Sequence, residues 1–353
     1  MLVSNQQHLV REGALLIIKR LEFFAISSAA NDTISRGLVN RDSSVVIVVT
    51  ARERGATRTL QARFSPLAPR NPYRNLFTTA GGLVYDTSNG TAPTVELQGS
   101  VWTRVTSAAD TAWTPYVRWI SGRPLVSGVP PTPAADAFVD ARVATAAAPT
   151  VWDPARCNLT FRNLGTTPMT FVSPPSPPSA SGRDEYRQYT FFTDATTTIS
   201  VRGTCVWVVP AGVCFRQRVI VQPEAGQSGT LVIVAKRNGL APGFTNRGIW
   251  FQSGLDLTDP TNTRLFLVSE GDVALSALRN LASKDVRALS IVSGGTLELM
   301  GPPTGSTWKL THDPTMDTVA DDLLARGALP ATSGGSNVLF AYTGASWKET
   351  RLP

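Results

Sequence analysis

Short runs of β-branched and aromatic residues alternate along this chain with clusters of Gly, Pro, Asn and Asp. The runs include Val45-Val46-Ile47-Val48-Val49, Val206-Trp207-Val208-Val209, Val219-Ile220-Val221, Leu231-Val232-Ile233-Val234, Leu265-Phe266-Leu267-Val268 and Val338-Leu339-Phe340. Runs of this length bounded by turn formers predict strands. Several are apolar without interruption. That predicts strands covered on both faces, inside a sandwich or beneath another subunit. Helical spacing is rare. Asp272 to Lys284 carries Leu275, Leu278 and Leu281 behind a candidate N-cap, Asp272. Thr318-Val319-Ala320-Asp321 has the form of a capping box, with Gly327 as the C-cap. His8 to Leu21 fits a helix or a strand equally well. The expected fold class is all-β, mainly antiparallel: two or three β-sandwich or jelly-roll-like units with a few short helices.

Punctuation divides the chain into a β domain over 1–120, a Pro/Ala-rich linker or arm over 121–150, a second β domain over 151–285 and a C-terminal β-hairpin region with one short helix over 286–353. The arm contains Gly128-Val129-Pro130-Pro131-Thr132-Pro133, and Phe138 is its single aromatic inside the Pro-rich part. Its stiff stretch predicts an extended segment ordered against a neighbouring subunit. Pro174 to Pro178 reads as an exposed loop. Two stretches, Val45 to Gly55 and Leu231 to Gly239, share an apolar strand, a basic turn and a Gly, which suggests two related β units. Val95 to Trp102 and Leu339 to Trp347 each read as strand, Gly turn, strand and Trp.

Gly226-Gln227-Ser228-Gly229 followed by Thr230 to Val234, a basic turn and Ile249-Trp250-Phe251 resembles β domains of tailed-bacteriophage tail fibres and related virion structural proteins. Ser336 to Lys348 is similar to the terminal hairpin of such domains. The resemblance covers the second half of the chain well and the first half loosely. It implies a virion location, assembly with copies of itself (often as trimers) and with other virion proteins, and contact with a host surface glycan or lipopolysaccharide.

Composition fits this picture. Of 353 residues, 42% are hydrophobic and 17% charged, with a net charge of +7. A core is therefore affordable, and the low charge suits packed neighbour surfaces. Arginine dominates the cations, an excess that fits either the base composition of the gene or use at interfaces, where arginine makes planar contacts. Arg52, Arg54, Arg58, Arg63, Arg70 and Arg74, interleaved with Phe64, Tyr73 and Phe77, form the candidate interface for nucleic acid, lipopolysaccharide phosphate or an acidic subunit.

Candidate chemistry is thin. His8 and His312 are the two histidines; His312-Asp313 lacks any accompanying nucleophile motif. Cys157, Cys205 and Cys214 are an odd set and read as small buried hydrophobes. Cys205 and Cys214 flank Pro210-Ala211-Gly212, read as a hairpin turn that keeps the two thiols apart. Asp317, Asp321 and Asp322 read as acids serving a helix start. Phosphate loops and zinc spacings are not found, so no catalytic residue, metal or cofactor is expected. The sequons at Asn31, Asn89 and Asn158 read as chance. Ala14 to Ile18 is too short for a signal core, and no run predicts membrane insertion. The expected function is a non-enzymatic phage tail, fibre or attachment component. The alternatives are a capsid shell or head-decoration protein, and a polysaccharide-degrading or carbohydrate-binding tail protein. The last would need paired acids beside an exposed Trp or Tyr; the sequence shows none.

Overall fold

The computed structural model describes residues 8–11, 14–17, 45–53, 56–66, 71–88, 94–104, 112–121, 130–176, 189–237, 247–277, 284–303, 305–333 and 340–350. The chain divides into two compact units, Met1–Arg70 with Val338–Pro353, and Asn71–Asn337. These boundaries do not fall at 121, 150 or 285.

In the first unit the strands run antiparallel. Ala56–Pro66 lies between Val45–Glu53 and Phe340–Thr350. His8–Arg11 and Ala14–Ile17 form a hairpin, so the ambiguous N-terminal stretch is strand. Within the described part of Ser336 to Lys348, the expected terminal hairpin is one continuous strand, with Gly344 at a shift of register.

The larger unit overturns the antiparallel expectation. Its main ladders are parallel, and each turn of chain adds one strand to each of three stacked sheets. Thr197–Val209 bends through Pro210-Ala211 into Val213–Phe215, then Val219–Pro223, and the chain climbs to Gly229–Ala235. That strand pairs in parallel with Thr197–Val209, Gly203 facing Gly229 and Val209 facing Ala235. Thr263–Ser269 and Leu289–Ser293 continue the same sheet. The architecture is a coil of parallel rungs. Neither sandwich nor jelly roll describes it. Cys205 and Cys214 therefore flank a corner between two sheets, not a hairpin; both are buried thiols in no disulfide. Burial pushes the Cys205 thiol up to about 12, which keeps it protonated and inert.

The coil interior explains the uninterrupted apolar runs. Every second residue points inward: Cys205, Trp207, Val209; Leu231, Ile233; Leu265, Leu267; Leu289, Ile291. Aromatic rings fill the interior: Phe191 and Trp207 meet edge to face with centroids 5.3 Å apart, and Phe215 and Phe251 stack on paired strands at 4.9 Å. Each fully buried side chain of this size contributes roughly 1.5–3 kcal/mol. Leu275 belongs to this interior, in register with Phe251 and Leu299. The helix expected from Asp272 onward is therefore absent where it is described: Asp272–Ser276 and Lys284–Val286 are strands. Lateral pairing on both sides outweighs the weak local periodicity of three leucines. The two stretches resembling a repeat also part company. Val45–Glu53 is antiparallel in one unit and Leu231–Ala235 parallel in the other, so they are not copies of one structure.

One rung is assembled from two distant pieces of chain. Leu289–Ser293 and Thr296–Met300 accept Phe77–Thr79 and Gly82–Tyr85 as their next neighbours, while Trp308–Thr311 accepts Val95–Gln98. The N-terminal turns thus stack on the C-terminal ones. At this seam Gly99 has φ +139°, and an added Cβ would lie 2.9 Å from the His312 Cβ. Gly99 ends one strand and Val101 starts another in a different sheet, so Val95 to Trp102 is a corner of the coil.

After that seam the chain must return to the opposite end of the coil. Residues 130–150 make the return along the outside. The helix α1 (Ala135–Asp140) buries Ala135, Phe138 and Val139 against Val206, Val208, Val232, Val234, Phe266 and Val268. These are the outward residues of the apolar runs. Asp140 pairs with Lys236 at 2.9 Å and Asp136 with Arg237 at 2.8 Å. The second covering surface foreseen for these strands is therefore the protein's own arm, not another subunit. A second helix, α2 (Thr315–Ala325), buries Met316, Ala320 and Leu323 in the same cluster. It begins three residues before the expected capping box, because Asp313 accepts from the Thr315 amide at 2.8 Å. Gly327 closes it as expected: at φ +66°, its amide reaches Leu324 O while Ala328 reaches Leu323 O.

Candidate binding groove

The residues of the predicted arginine interface divide between the two units. Arg52, Arg58 and Arg63 lie in the antiparallel sheet of the smaller unit. Arg54 and Arg70 lie outside the described residues. Tyr73 and Arg74 belong to the larger unit. Tyr73 is fully buried, and its hydroxyl donates to Pro330 O at 2.8 Å. It is core, not contact surface. Arg74 donates to Asp321, which also accepts from Asn71 at 2.9 Å. The same pairing accounts for one of the clustered acids. Asp317 lies 2.9 Å from His312 Nε2, and the other ring nitrogen faces Leu289 O at 3.2 Å. His312 thus pins the start of α2 to the coil and forms no pair with Asp313 on the described side chains. Among the described residues no group of three or more His, Cys, Asp or Glu could hold a metal ion, and no helix is long and apolar enough to cross a membrane. Asn158 lies half-buried in the strand Asn158–Arg162; Asn31 and Asn89 lie outside the described residues.

A different constellation emerges on the sheet made by Val213–Phe215, Arg247–Phe251, Asp272–Ser276, Thr296–Met300 and Gly82–Tyr85. Ile249, Phe251, Val273, Leu275, Leu297 and Leu299 point into the coil. The residues between them face out. Parallel register aligns Cys214, Trp250, Ala274, Glu298 and Val84 into one outward row. Ser276 pairs with Met300 in the next row. Neighbouring strands are about 4.8 Å apart. Side-chain size therefore sculpts this face: Trp250 stands on one rung, Ala274 and Ser276 leave the next rung low, and Glu298 and Met300 rise on the third. The result is a recess of about 180 Å³ lined by Asp86, Arg247, Trp250, Gln252, Ala274, Leu275, Ser276, Glu298 and Met300.

The recess is held rigidly. The Arg247 guanidinium carbon lies 4.2 Å from the Trp250 ring centroid, and its Nη2 donates to Glu298 Oε2 at 2.6 Å. The arginine is only 14% exposed, so this cation–π contact and ion pair act in partly desolvated surroundings. Beneath them Asp272 accepts from the Thr296 amide at 2.7 Å and fixes the turn that precedes Glu298. Burial raises the Asp272 carboxyl above its usual range, with the Thr296 hydrogen bond and Arg247 opposing. On the rim Asp86 accepts from the Ser88 amide at 2.8 Å, and its own amide donates to Leu299 O.

Sequence reasoning missed this site for a reason. Ile249-Trp250-Phe251 looks like a continuous apolar run, but in a strand the middle residue faces the other way. The signal available was the alternation of Trp250 and Gln252 with the inward Ile249 and Phe251; Arg247 shares the inward parity and joins them only through the register shift between Arg247 and Ile249. Asp86 could not be placed beside Glu298 without knowing that the N-terminal rungs stack on the C-terminal ones.

No family model matches this chain, and no characterised protein matches it in sequence. Among solved structures, the competence-associated pilin ComZ from Thermus thermophilus is similar at 12% identity and a TM-score of 0.27, covering 95% of this chain and 88% of that one. A likeness that slight carries no argument about fold or function.

Proposed function

We propose that this chain is a structural, non-enzymatic attachment component of a virus particle, of the tail or fibre type, that assembles with copies of itself and presents its coil to a host surface glycan. The observation that carries the reading is the recess across three adjacent rungs, where Trp250, Arg247 and Glu298 are locked together on a stiff parallel scaffold. A fixed aromatic wall, a few convergent polar groups and a small apolar floor are the makings of a recognition site. Catalysis would need a carboxylate free to give or take a proton, and Glu298 is committed to Arg247. Two measurements test the reading. Antibody-gold labelling of intact particles should mark the tail or its tip; label spread over the shell would favour a capsid or decoration role. Light scattering after size exclusion should give a multiple of the chain mass.

Polysaccharide degradation is a second reading, because Asp86 and Glu298 both line the recess beside an aromatic residue. Release of reducing sugar from host capsule or lipopolysaccharide, lost in both Asp86→Asn and Glu298→Gln, would favour it over pure binding.

A further inference from the structure

We propose that the recess between Trp250 and Met300 binds a single neutral pyranose unit of a glycan, in preference to an acidic sugar. This inference rests on the attachment reading, and four observations lead to it.

The first is the mixture of polarity. Arg247 and Gln252 bring donors and Asp86 and Glu298 acceptors, while the Gln252 amide already reaches Cys214 Sγ at 3.5 Å and the Ser276 hydroxyl Met300 Sδ at 3.4 Å, weak sulfur contacts that a sugar hydroxyl can replace. A sugar hydroxyl also donates and accepts at once, so a ring carrying several hydroxyls satisfies both sets. A purely accepting or purely donating ligand satisfies one set and leaves the other facing it unpaired.

The second is the apolar component. The lining includes Trp250, Ala274, Leu275 and Met300. A pyranose presents C–H faces as well as hydroxyls, and those faces pack on aromatic and thioether surfaces.

The third is charge. Two carboxylates and one guanidinium line the recess. Arg247 is already engaged by Glu298 at 2.6 Å and lies against Trp250. An incoming carboxylate or phosphate would meet Asp86 and Glu298 as like charges, with no uncommitted cation in the lining to receive it. The one guanidinium leaves one of the two carboxylates uncompensated, so the lining is net negative and rejects anions.

The fourth is size. About 180 Å³ is small beside the 300–1,000 Å³ typical of drug-sized ligands, and it suits one ring with its neighbours left on the rim. On the rung beyond Glu298, Val84 is 50% exposed and offers an apolar contact for an adjoining unit.

The test uses the full chain and saturation-transfer NMR, backed by titration calorimetry. The probes are methyl glycosides of glucose, galactose and mannose, then glucuronic acid, sialic acid and glucose 6-phosphate. At least one neutral glycoside should bind, and Trp250→Ala should weaken it about tenfold, the loss expected for one aromatic contact. Ala274→Leu fills the floor from the outward side and should abolish binding; circular dichroism and thermal unfolding check that each variant stays folded. Arg247→Met should also weaken binding, because it frees Glu298 and removes a donor. Tighter binding of the acidic probes would overturn this inference and leave the attachment reading standing. So would neutral-sugar binding that survives Ala274→Leu in a folded variant, since the glycan would then sit elsewhere. Failure to bind any saccharide, with the label absent from the tail, would overturn both.

Discussion

Two outward faces of the same coil are treated in opposite ways. On one sheet the outward residues are Val206, Val208, Val232, Val234, Phe266 and Val268, all buried because α1 and α2 lie over them. On the next sheet around the coil the outward row is Cys214, Trp250, Ala274, Glu298 and Val84, bordered by Arg247 and Gln252. Both sheets have the same parallel register and the same inward aliphatic ladder. Backbone geometry therefore does not separate them. What separates them is the outward half of the strand pattern: uniform aliphatics demand a cover, and large–small–large alternation with charge leaves a shaped, wettable recess. A parallel coil lets each rung change its outward residue without disturbing the inward one, so a face can be assigned to stability or to recognition one residue at a time.

The sharpest way to break this comparison is to truncate an aromatic on each face. Phe266→Ala on the covered face should cost about 3–5 kcal/mol, the usual loss for a fully buried Phe, because the cavity lies between the sheet and the helices. Trp250→Ala on the open face should cost about 1–2 kcal/mol of stability, from the cation–π contact and the packing against Tyr189, while weakening ligand binding about tenfold. Urea denaturation of both variants gives the comparison directly. Similar losses from the two would mean that the groove face carries structural load equal to the covered one.

The arm supplies the next test. Phe138 and Val139 are the wedge that α1 drives onto the valine rows. Phe138→Asp would place a charge against them and should cost about 3 kcal/mol or more, with protease cleavage appearing in 130–150. An intact, protease-resistant arm in that variant would mean that the valine rows do not depend on this cover.

How much of this was legible in the residues? The strands were, because Val206 to Val209, Leu231 to Val234 and Leu265 to Val268 are apolar on both parities and so must be covered on both faces. The closure of α2 was, through Gly327. The direction of pairing was not: an uninterrupted apolar strand fits a parallel coil as well as a sandwich core, and only the partners decide. The source of the cover was not legible either, since an arm bearing a lone Phe138 gives no hint of whose surface it meets. The groove stayed hidden because its residues come from rungs far apart in sequence, and Asp86 joins Glu298 only through the seam at Phe77–Tyr85. Tyr73 was misplaced for the converse reason: closeness in sequence set it beside Arg70, yet the fold buries it and bonds its hydroxyl to Pro330 O.

A smaller effect probes the seam between α2 and the N-terminal rungs. Tyr73→Phe removes one buried hydrogen bond to Pro330 O while keeping the ring, and should cost about 1 kcal/mol, leaving that carbonyl unpaired. Thermal unfolding should register a modest fall in Tm with no change in saccharide binding. Loss of binding as well would mean that the seam and the groove are coupled through the rung they share.

The smallest effect separates the two faces by pH, and its sign differs between them. Beside α2, the Asp321 carboxyl is held below its usual range by the hydrogen bond from Arg74, and Asp313 below its own by the Thr315 amide. A depressed folded value stabilises above the ordinary carboxylate value of 3.8 and loses that contribution as pH falls through the folded value. Both groups are largely exposed, so solvent screening limits each to a few tenths of a kcal/mol. Under the groove, Asp272 behaves oppositely. Burial raises its folded value, so its contribution is fully present below 3.8 and is lost as pH rises through that raised value. Stability should therefore climb slightly as pH falls from neutral toward 4, then decline below it. Asp272→Asn keeps an oxygen for the Thr296 amide and should flatten the upper limb alone, whereas Asp321→Asn should soften only the acid limb. Urea midpoints measured between pH 3 and 8 read both limbs. A wild-type curve that rises monotonically with pH, unchanged by Asp272→Asn, would show that Asp272 gains its charge at no cost and that the groove floor is better solvated than its burial implies.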